Sequence, residues 1–268
     1  MLYSGVFIIL SFIFLRPVTD AIIDRSDYPD IFSVVLSNPY TLSYPEYFTC
    51  SKVAWIIALL CGFVGFNAPL CLYAIVYMLL IGTFETMADT ADWDYVWLVS
   101  NAVAMYFVSF YFVYELFSKQ NHFSWKNLKK SRLWLIVLLV FLVWKPIRID
   151  GTICDWDFSM EQFISNNAGT SFVCVGPSLL IMLILFYPHV NKSLFGLLTF
   201  VTSLLGSISL AVAISKSQIP FAIMHVPVLF VSLYGYYLYF GTENEIEKSE
   251  QSEQSEQREQ SEQKEKLE

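Results

Sequence analysis

The chain has 268 residues, of which 56% are hydrophobic, 17% are aromatic and 15% are charged, and its net charge is −8. A soluble domain of this size could not bury so much apolar surface, so the composition predicts a protein that is solvated by the lipid bilayer. The sequence also lacks the basic face that nucleic acids need, which excludes them as partners.

The first apolar stretch, Leu2–Leu15, would be about 21 Å long as a helix, which is short for a membrane span. We expect it to be retained, because no Lys or Arg precedes it and no cleavage motif follows it. The second stretch, Val53–Phe84, is too long for one helix. Because Pro69 disfavours a helical conformation at Ala68, the Asn67-Ala68-Pro69 break predicts two short helices joined by a tight turn. The alternative is an unwound helix whose free backbone groups bind a substrate.

Five further apolar stretches follow, over Tyr95–Phe117, Leu133–Trp144, Ser171–Tyr187, Ser193–Ser215 and Phe221–Phe240. The predicted fold class is therefore all-α, a polytopic transmembrane helix bundle of about eight membrane segments, or seven if the first is not a full span. Residues 1–241 form the predicted multi-pass domain. The tail 242–268 is rich in Ser, Glu and Gln and cannot bury enough apolar surface to fold, so we expect it to be disordered.

The loop Lys119–Arg132 carries five basic residues and no carboxylate, which is the strongest positive-inside signal in the chain. With this loop in the cytoplasm, alternation of the spans places both termini and the acidic tail there as well. The segments expected outside are 16–51, 86–94, 145–170 and 216–220. We expect a plasma-membrane protein whose partners are the lipid bilayer and a protein that binds the basic loop or the tail.

Several acidic residues lie in the predicted outer loops or at their edges, namely Glu85, Asp89, Asp92, Asp94, Asp155 and Asp157. The first three recur at i, i+4 and i+7, a spacing that predicts one shared helical face. Asp-Trp-Asp occurs twice, in the second and third outer loops. Carboxylate clusters suit hard cations such as Ca²⁺ or Mg²⁺, so the hypothesis is a divalent cation site or an acidic mouth for a cationic solute. An ordinary solvated acidic loop has the same spacing, and no other cofactor is evident.

Four residues within the predicted spans make up a candidate solute path, and they are Asn101, Ser203, Ser207 and His225. Small residues line two faces of Ser193–Ser215, which favours a helix packed in the middle of the bundle and is also typical of a pore lining. A lone histidine in a span more often hydrogen-bonds a neighbouring helix than binds a metal. Glu115 precedes Lys119 by four residues, which predicts an interfacial ion pair.

Three function classes are compatible with these patterns, and whether the protein is an enzyme stays open. The favoured hypothesis is a permease or channel for a small, cationic solute, which would use the acidic outer mouth. One alternative is a membrane-interface enzyme that acts on a lipid-linked substrate with a carboxylate-bound divalent ion. The other is a non-catalytic membrane accessory factor. Metalloprotease and serine-hydrolase motifs are absent from the sequence.

Overall fold

The computed structural model describes residues 2–150, 153–215 and 217–241, and the predicted tail 242–268 lies outside them. This part of the chain is mostly helical. Its helices are α1 Leu2–Phe14, α2 Tyr28–Ser37, α3 Glu46–Phe63, α4 Asn67–Phe84, α5 Val99–Ser118, α6 Leu135–Trp144, α7 Met160–Ser165, α8 Phe172–Phe186, α9 Lys192–Ser215 and α10 Ile219–Gly241.

Five of these helices, α3, α4, α5, α9 and α10, are long and apolar enough to cross a membrane. A sixth candidate is the bent pair formed by α7 and α8, whose two parts meet at an angle of 82°. Helices α1 and α6 are apolar but have only 13 and 10 residues. At 1.5 Å per residue, they are ~20 Å and ~15 Å long, short of the ~30 Å hydrocarbon core. The predicted count of about eight spans is therefore not confirmed.

The mostly helical fold agrees with the predicted class, but short strands that the sequence analysis did not predict interrupt the helices. Strands β1 Val18–Thr19, β2 Met87–Thr90 and β3 Asp94–Trp97 form an antiparallel sheet in the order β1-β3-β2. Strands β4 Ile147–Asp150 and β5 Ile153–Trp156 form a separate hairpin. The β4–β5 hairpin and strand β2 occupy segments that the sequence places in outer loops, whereas most of β3 lies in the predicted span Tyr95–Phe117.

The long apolar stretch divides into two helices, as the Asn67-Ala68-Pro69 break predicts. Gly65 adopts a φ of +98°, a conformation that favours glycine, and the chain reverses there. Helix α4 then begins at Asn67, and Pro69 lies in its first turn, where the missing N–H costs no intrahelical hydrogen bond.

The most enclosed helix is α8, in which every residue except Val173 is buried. The sequence analysis favours a central position for Ser193–Ser215, which forms α9. Only one of the two small-residue faces of this helix agrees with a central position. Thr202 and Gly206 lie on a buried face, whereas Ser207 is exposed. A Cβ at Gly206 would lie 2.9 Å from Val228 of α10, so the close approach on that face depends on glycine.

Candidate functional site at the bent helix

The bend between α7 and α8 is held against α3 by a glycine. The chain passes through a short 3₁₀ turn, Asn167–Thr170, before α8 begins. A Cβ at Gly169 would lie 2.5 Å from the backbone nitrogen of Lys52, so a side chain cannot be accommodated without moving one of the two backbones. The Ser51 hydroxyl also donates to the Gly169 carbonyl. These contacts fix the turn beside the N-terminal half of α3.

Two lysines are buried at this bend, and both are held by asparagines of the turn. Lys52 is 3% exposed and donates from Nζ to Asn166 Oδ1 over 2.5 Å and to the Phe163 carbonyl. Lys145 is 6% exposed and donates to Asn167 Oδ1. Burying an ammonium group is costly unless polar groups replace its water, and the turn supplies them. The bend therefore brings two cationic groups into the packed interior.

A carboxylate lies at the other side of the bend, at the N-terminus of α8. Glu85 accepts hydrogen bonds from the Phe172 amide at 3.1 and 3.0 Å to its two oxygens. Helix N-termini favour negative charge. Burial nevertheless raises the pKa of Glu85 to about 7, and the Phe172 amide, the Ser171 hydroxyl and Lys145 oppose that rise. Glu85 is thus a carboxyl group whose charge state changes near neutral pH.

Glu85 and Asn101, which the sequence assigns to different roles, line the same cavity. This cavity has a volume of about 30 Å³, and Thr86 and Ser209 contribute hydroxyl groups to its wall. The Thr86 hydroxyl accepts a hydrogen bond from Trp97 Nε1 at 3.0 Å. The structure therefore joins one predicted metal ligand to one predicted solute-path residue.

The remaining carboxylates of the second outer loop do not share a helical face with Glu85, so that prediction is wrong. Asp89 lies in β2, Asp92 lies in the turn between β2 and β3, and Asp94 is the first residue of β3. All three residues are exposed. Strands β2 and β3 form an antiparallel β-hairpin here, in which Met87 is paired with Trp97. Asp89 accepts a 2.6 Å hydrogen bond from the Tyr40 hydroxyl, which raises the pKa of Tyr40 to about 12.

The third outer loop places its two carboxylates at the surface. Asp155 lies in β5 and is exposed. Asp157 accepts a hydrogen bond from the Ser159 amide at 2.9 Å, and this bond lowers the pKa of Asp157. Among residues 2–150, 153–215 and 217–241, no three His, Cys, Asp or Glu side chains are grouped closely enough to hold a metal ion. The divalent cation site stays a prediction.

The other predicted solute-path residues lie apart from the cavity lining. Ser203 is half-buried, Ser207 is exposed, and neither lines the cavity beside Glu85. His225 is fully buried, and its Nδ1 lies 2.7 Å from the Phe221 carbonyl of the preceding turn. Within the part of the chain that the structure describes, its Nε2 has no hydrogen-bond partner.

A fully buried carboxylate, Glu115, lies at the opposite end of the bundle. The sequence predicts an ion pair with Lys119, but Glu115 is fully buried and accepts hydrogen bonds from the side chains of Asn67 and Asn191, whereas Lys119 is exposed. That prediction is wrong, because the asparagines reach inward from the starts of α4 and α9. The sequence signal that could have indicated these partners of Glu115 is an asparagine beside a predicted helix end, as at Asn67 and Asn191.

Comparisons with protein-family models, with curated protein sequences and with solved structures find no match to this chain.

Proposed function

We propose that this chain is a multi-pass membrane protein that carries a small solute across the bilayer and binds it beside the bend between α7 and α8. One observation carries the proposal: Lys52, Lys145 and Glu85 are gathered at the junction of a bent helix pair, among helices long and apolar enough to cross a membrane. Ionisable groups inside a membrane are costly and mark solute or ion pathways. Transporters commonly bind substrates at broken helices, where helix ends present charges and backbone groups.

The charges at the bend indicate which solutes fit. Two ammonium groups and one carboxylate leave an excess of one positive charge when Glu85 is ionised, so the site favours a solute with an anionic group, including a zwitterion. The exposed carboxylates Asp92, Asp94 and Asp155 have a different role, because they raise the local concentration of cations at the outer surface. In this proposal, the cation that the sequence analysis expects at the acidic outer loops is carried together with the solute.

The proposed topology keeps both termini in the cytoplasm, with eight crossings and the loop Lys119–Arg132 inside. The basic side chains of this loop differ in exposure. Lys126 and Lys130 are exposed, while Arg132 donates to the carbonyls of Ile184 and Tyr187 at 2.7 and 2.8 Å. The exposed lysines are the part of the loop that can bind a protein partner or anionic lipid. No observation on the described residues favours the enzyme or accessory-factor hypothesis over transport.

The proposal is tested by uptake into liposomes that contain the full-length chain. The probes are radiolabelled glycine, glutamate, lysine, choline and phosphate, offered singly in a sodium-containing buffer. We expect uptake of at least one amino acid or anion, and a loss of about tenfold or more in Lys145→Gln. Glutamine keeps a donor for Asn167 but removes the charge.

Lys126→Gln is the matched control, because it removes the charge of an exposed lysine. Melting temperatures of the purified variants show whether each one folds. Uptake of none of the five probes above protein-free liposomes would contradict the proposal. So would equal uptake by wild type and a folded Lys145→Gln variant.

A further inference from the structure

The cavity beside Glu85 is the right size for a single small occupant. Its volume of about 30 Å³ holds about two water-sized groups, which is too little for a fully hydrated ion or an organic solute. Its walls are largely apolar, with Met105, Phe172 and Leu205 among them. The polar groups of the lining come from α5, α9 and the end of α4, so an occupant would connect three parts of the bundle.

The side chain of Asn101 indicates an occupant that binds to an oxygen atom. Its side chain is 4% exposed and lines the cavity, and its Oδ1 has no hydrogen-bond partner among the described residues. An unpartnered buried amide oxygen costs free energy, because it has lost its water without a replacement. A bound cation or water molecule removes that cost.

Glu85 adds a negative charge to the same cavity. Its two oxygens share the single backbone amide of Phe172 as a donor, and the Ser171 hydroxyl also assists. A carboxylate can accept about four hydrogen bonds, so lone pairs are left for another ligand.

The donor set selects the chemistry of the occupant. Glu85, Asn101 and Ser209 offer carboxylate, amide and hydroxyl oxygens, which suit a hard cation. Among the residues that line the cavity, Glu85 is the ionisable one, so the lining favours a monovalent ion over a divalent ion. The small volume favours a small ion without its hydration shell.

We propose that Glu85, Asn101 and Ser209 bind one dehydrated sodium ion in this cavity. The ion neutralises the carboxylate beside the N-terminus of α8 and ties α8 to α5 and α9. The inference deepens the proposed function by naming a coupling ion. It is tested by binding to the purified protein, so it can fail or hold whether or not a solute is transported.

The experiment measures the melting temperature of the full-length chain in uncharged detergent at pH 8, where Glu85 is ionised. Sodium, potassium and choline chloride are compared at equal ionic strength. We expect sodium to raise the melting temperature by ~3 °C over choline at about ten times its Kd, with a smaller rise in potassium. Glu85→Gln and Asn101→Ala should lose the rise.

Two further variants separate ligation from folding. Asp92→Asn removes an exposed carboxylate and should keep the full sodium effect. Asn101→Asp keeps an oxygen at the same position and should retain the effect, even if Asn101→Ala fails to fold. Equal melting temperatures in all three salts, an equal rise with potassium, or a rise that survives in folded Glu85→Gln would each overturn the proposal.

Discussion

Asn191, at the start of α9, donates from Nδ2 to Oε2 of Glu115 near the end of α5 over 2.9 Å. The other carboxylate oxygen accepts hydrogen bonds from Asn67 Nδ2 at 2.9 Å and from the Asn121 amide at 2.7 Å. Asn121 in turn accepts a 2.7 Å hydrogen bond from the Asn191 amide. One fully buried carboxylate therefore joins the starts of α4 and α9 to the end of α5 and the loop after it.

Glu115→Ala should destabilise the protein strongly, because it leaves several buried donors without an acceptor. We expect a loss of ~3 kcal/mol in the free energy of unfolding, measured by chemical denaturation in detergent. Glu115→Gln keeps one acceptor oxygen and should lose less. Lys119→Ala is the control, since Lys119 is exposed. A Glu115→Ala variant that loses no more stability than Lys119→Ala would contradict the role of the asparagine network.

Gly169→Ala should disturb the bend at α8. The new Cβ would lie 2.5 Å from the backbone nitrogen of Lys52, so one of the two backbones has to move. We expect a cost of ~2 kcal/mol, seen as a lower melting temperature. Gly5→Ala is the matched control, because nothing lies within 4 Å of a Cβ there, and alanine favours the helix. A Gly169→Ala variant as stable as Gly5→Ala would contradict the close packing of the turn on α3.

The two small-residue faces of α9 should respond differently to bulk. Gly206→Leu places a side chain against Val228, whose Cγ1 is already 2.9 Å from a Cβ position at Gly206, and should lower the melting temperature by several degrees. Ser207→Leu, one residue on, adds an apolar side chain on the exposed face and should be tolerated. Melting curves of the two purified variants compare the faces directly. A larger loss in Ser207→Leu would reverse the assignment of the packed face.

Apolar length and proline placement were enough to predict most of the helices. They gave α9 as Ser193–Ser215 against the observed Lys192–Ser215, and they placed the break before Pro69. They missed the first seven residues of α3, because Glu46–Lys52 is polar on average yet continues the helix. They also missed the hairpin of β2 and β3, because its acidic spacing matches a helical period as well as a turn.

The candidate site was only partly predictable, because it depends on contacts between distant segments. Glu85 and Asn101 were identified from the sequence, but for different roles, and their shared cavity depends on how α4, α5 and α9 pack. Lys52 and Lys145 were not identified as site residues from the sequence. Nothing local distinguishes a buried lysine from a solvated one. Their burial follows from the 82° bend, which a proline-free turn creates.

Glu85 should make the stability of the protein depend on pH. Its pKa rises from 4.5 in the unfolded chain to about 7 when folded, so the folded state binds a proton more tightly. The stabilisation is fully present below pH 4.5 and is lost as pH rises through about 7. The neighbouring titratable and charged groups are Lys145, Tyr77 and Cys174.

The measurement is the free energy of unfolding in choline chloride between pH 4.5 and pH 8, for wild type and for Glu85→Gln. Other carboxylates contribute to both curves, so the difference between the curves isolates Glu85. As pH rises from 4.5 to 8, the free energy of unfolding of wild type should fall by ~3 kcal/mol relative to that of Glu85→Gln. Asp92→Asn, which alters an exposed carboxylate, should keep the wild-type profile. Parallel curves for wild type and Glu85→Gln would contradict a raised pKa at Glu85.

Reporter fusions after residue 127 and after residue 157 should lie on opposite sides of the membrane, with the first in the cytoplasm. The basic loop Lys119–Arg132 predicts the inner position, and α6 is the only α-helix among the described residues between the two fusion points. Helix α6 has 10 residues and is ~15 Å long, so crossing requires the adjoining Lys130–Arg132 turn and the β4 segment to extend it through the interface. A fusion after residue 241, following α10, should report the same side as the fusion after residue 127 and tests the predicted position of the C-terminus. Signals on the same side at 127 and 157 would show that α6 enters the bilayer without crossing it, and would place Asp155 and Asp157 in the cytoplasm.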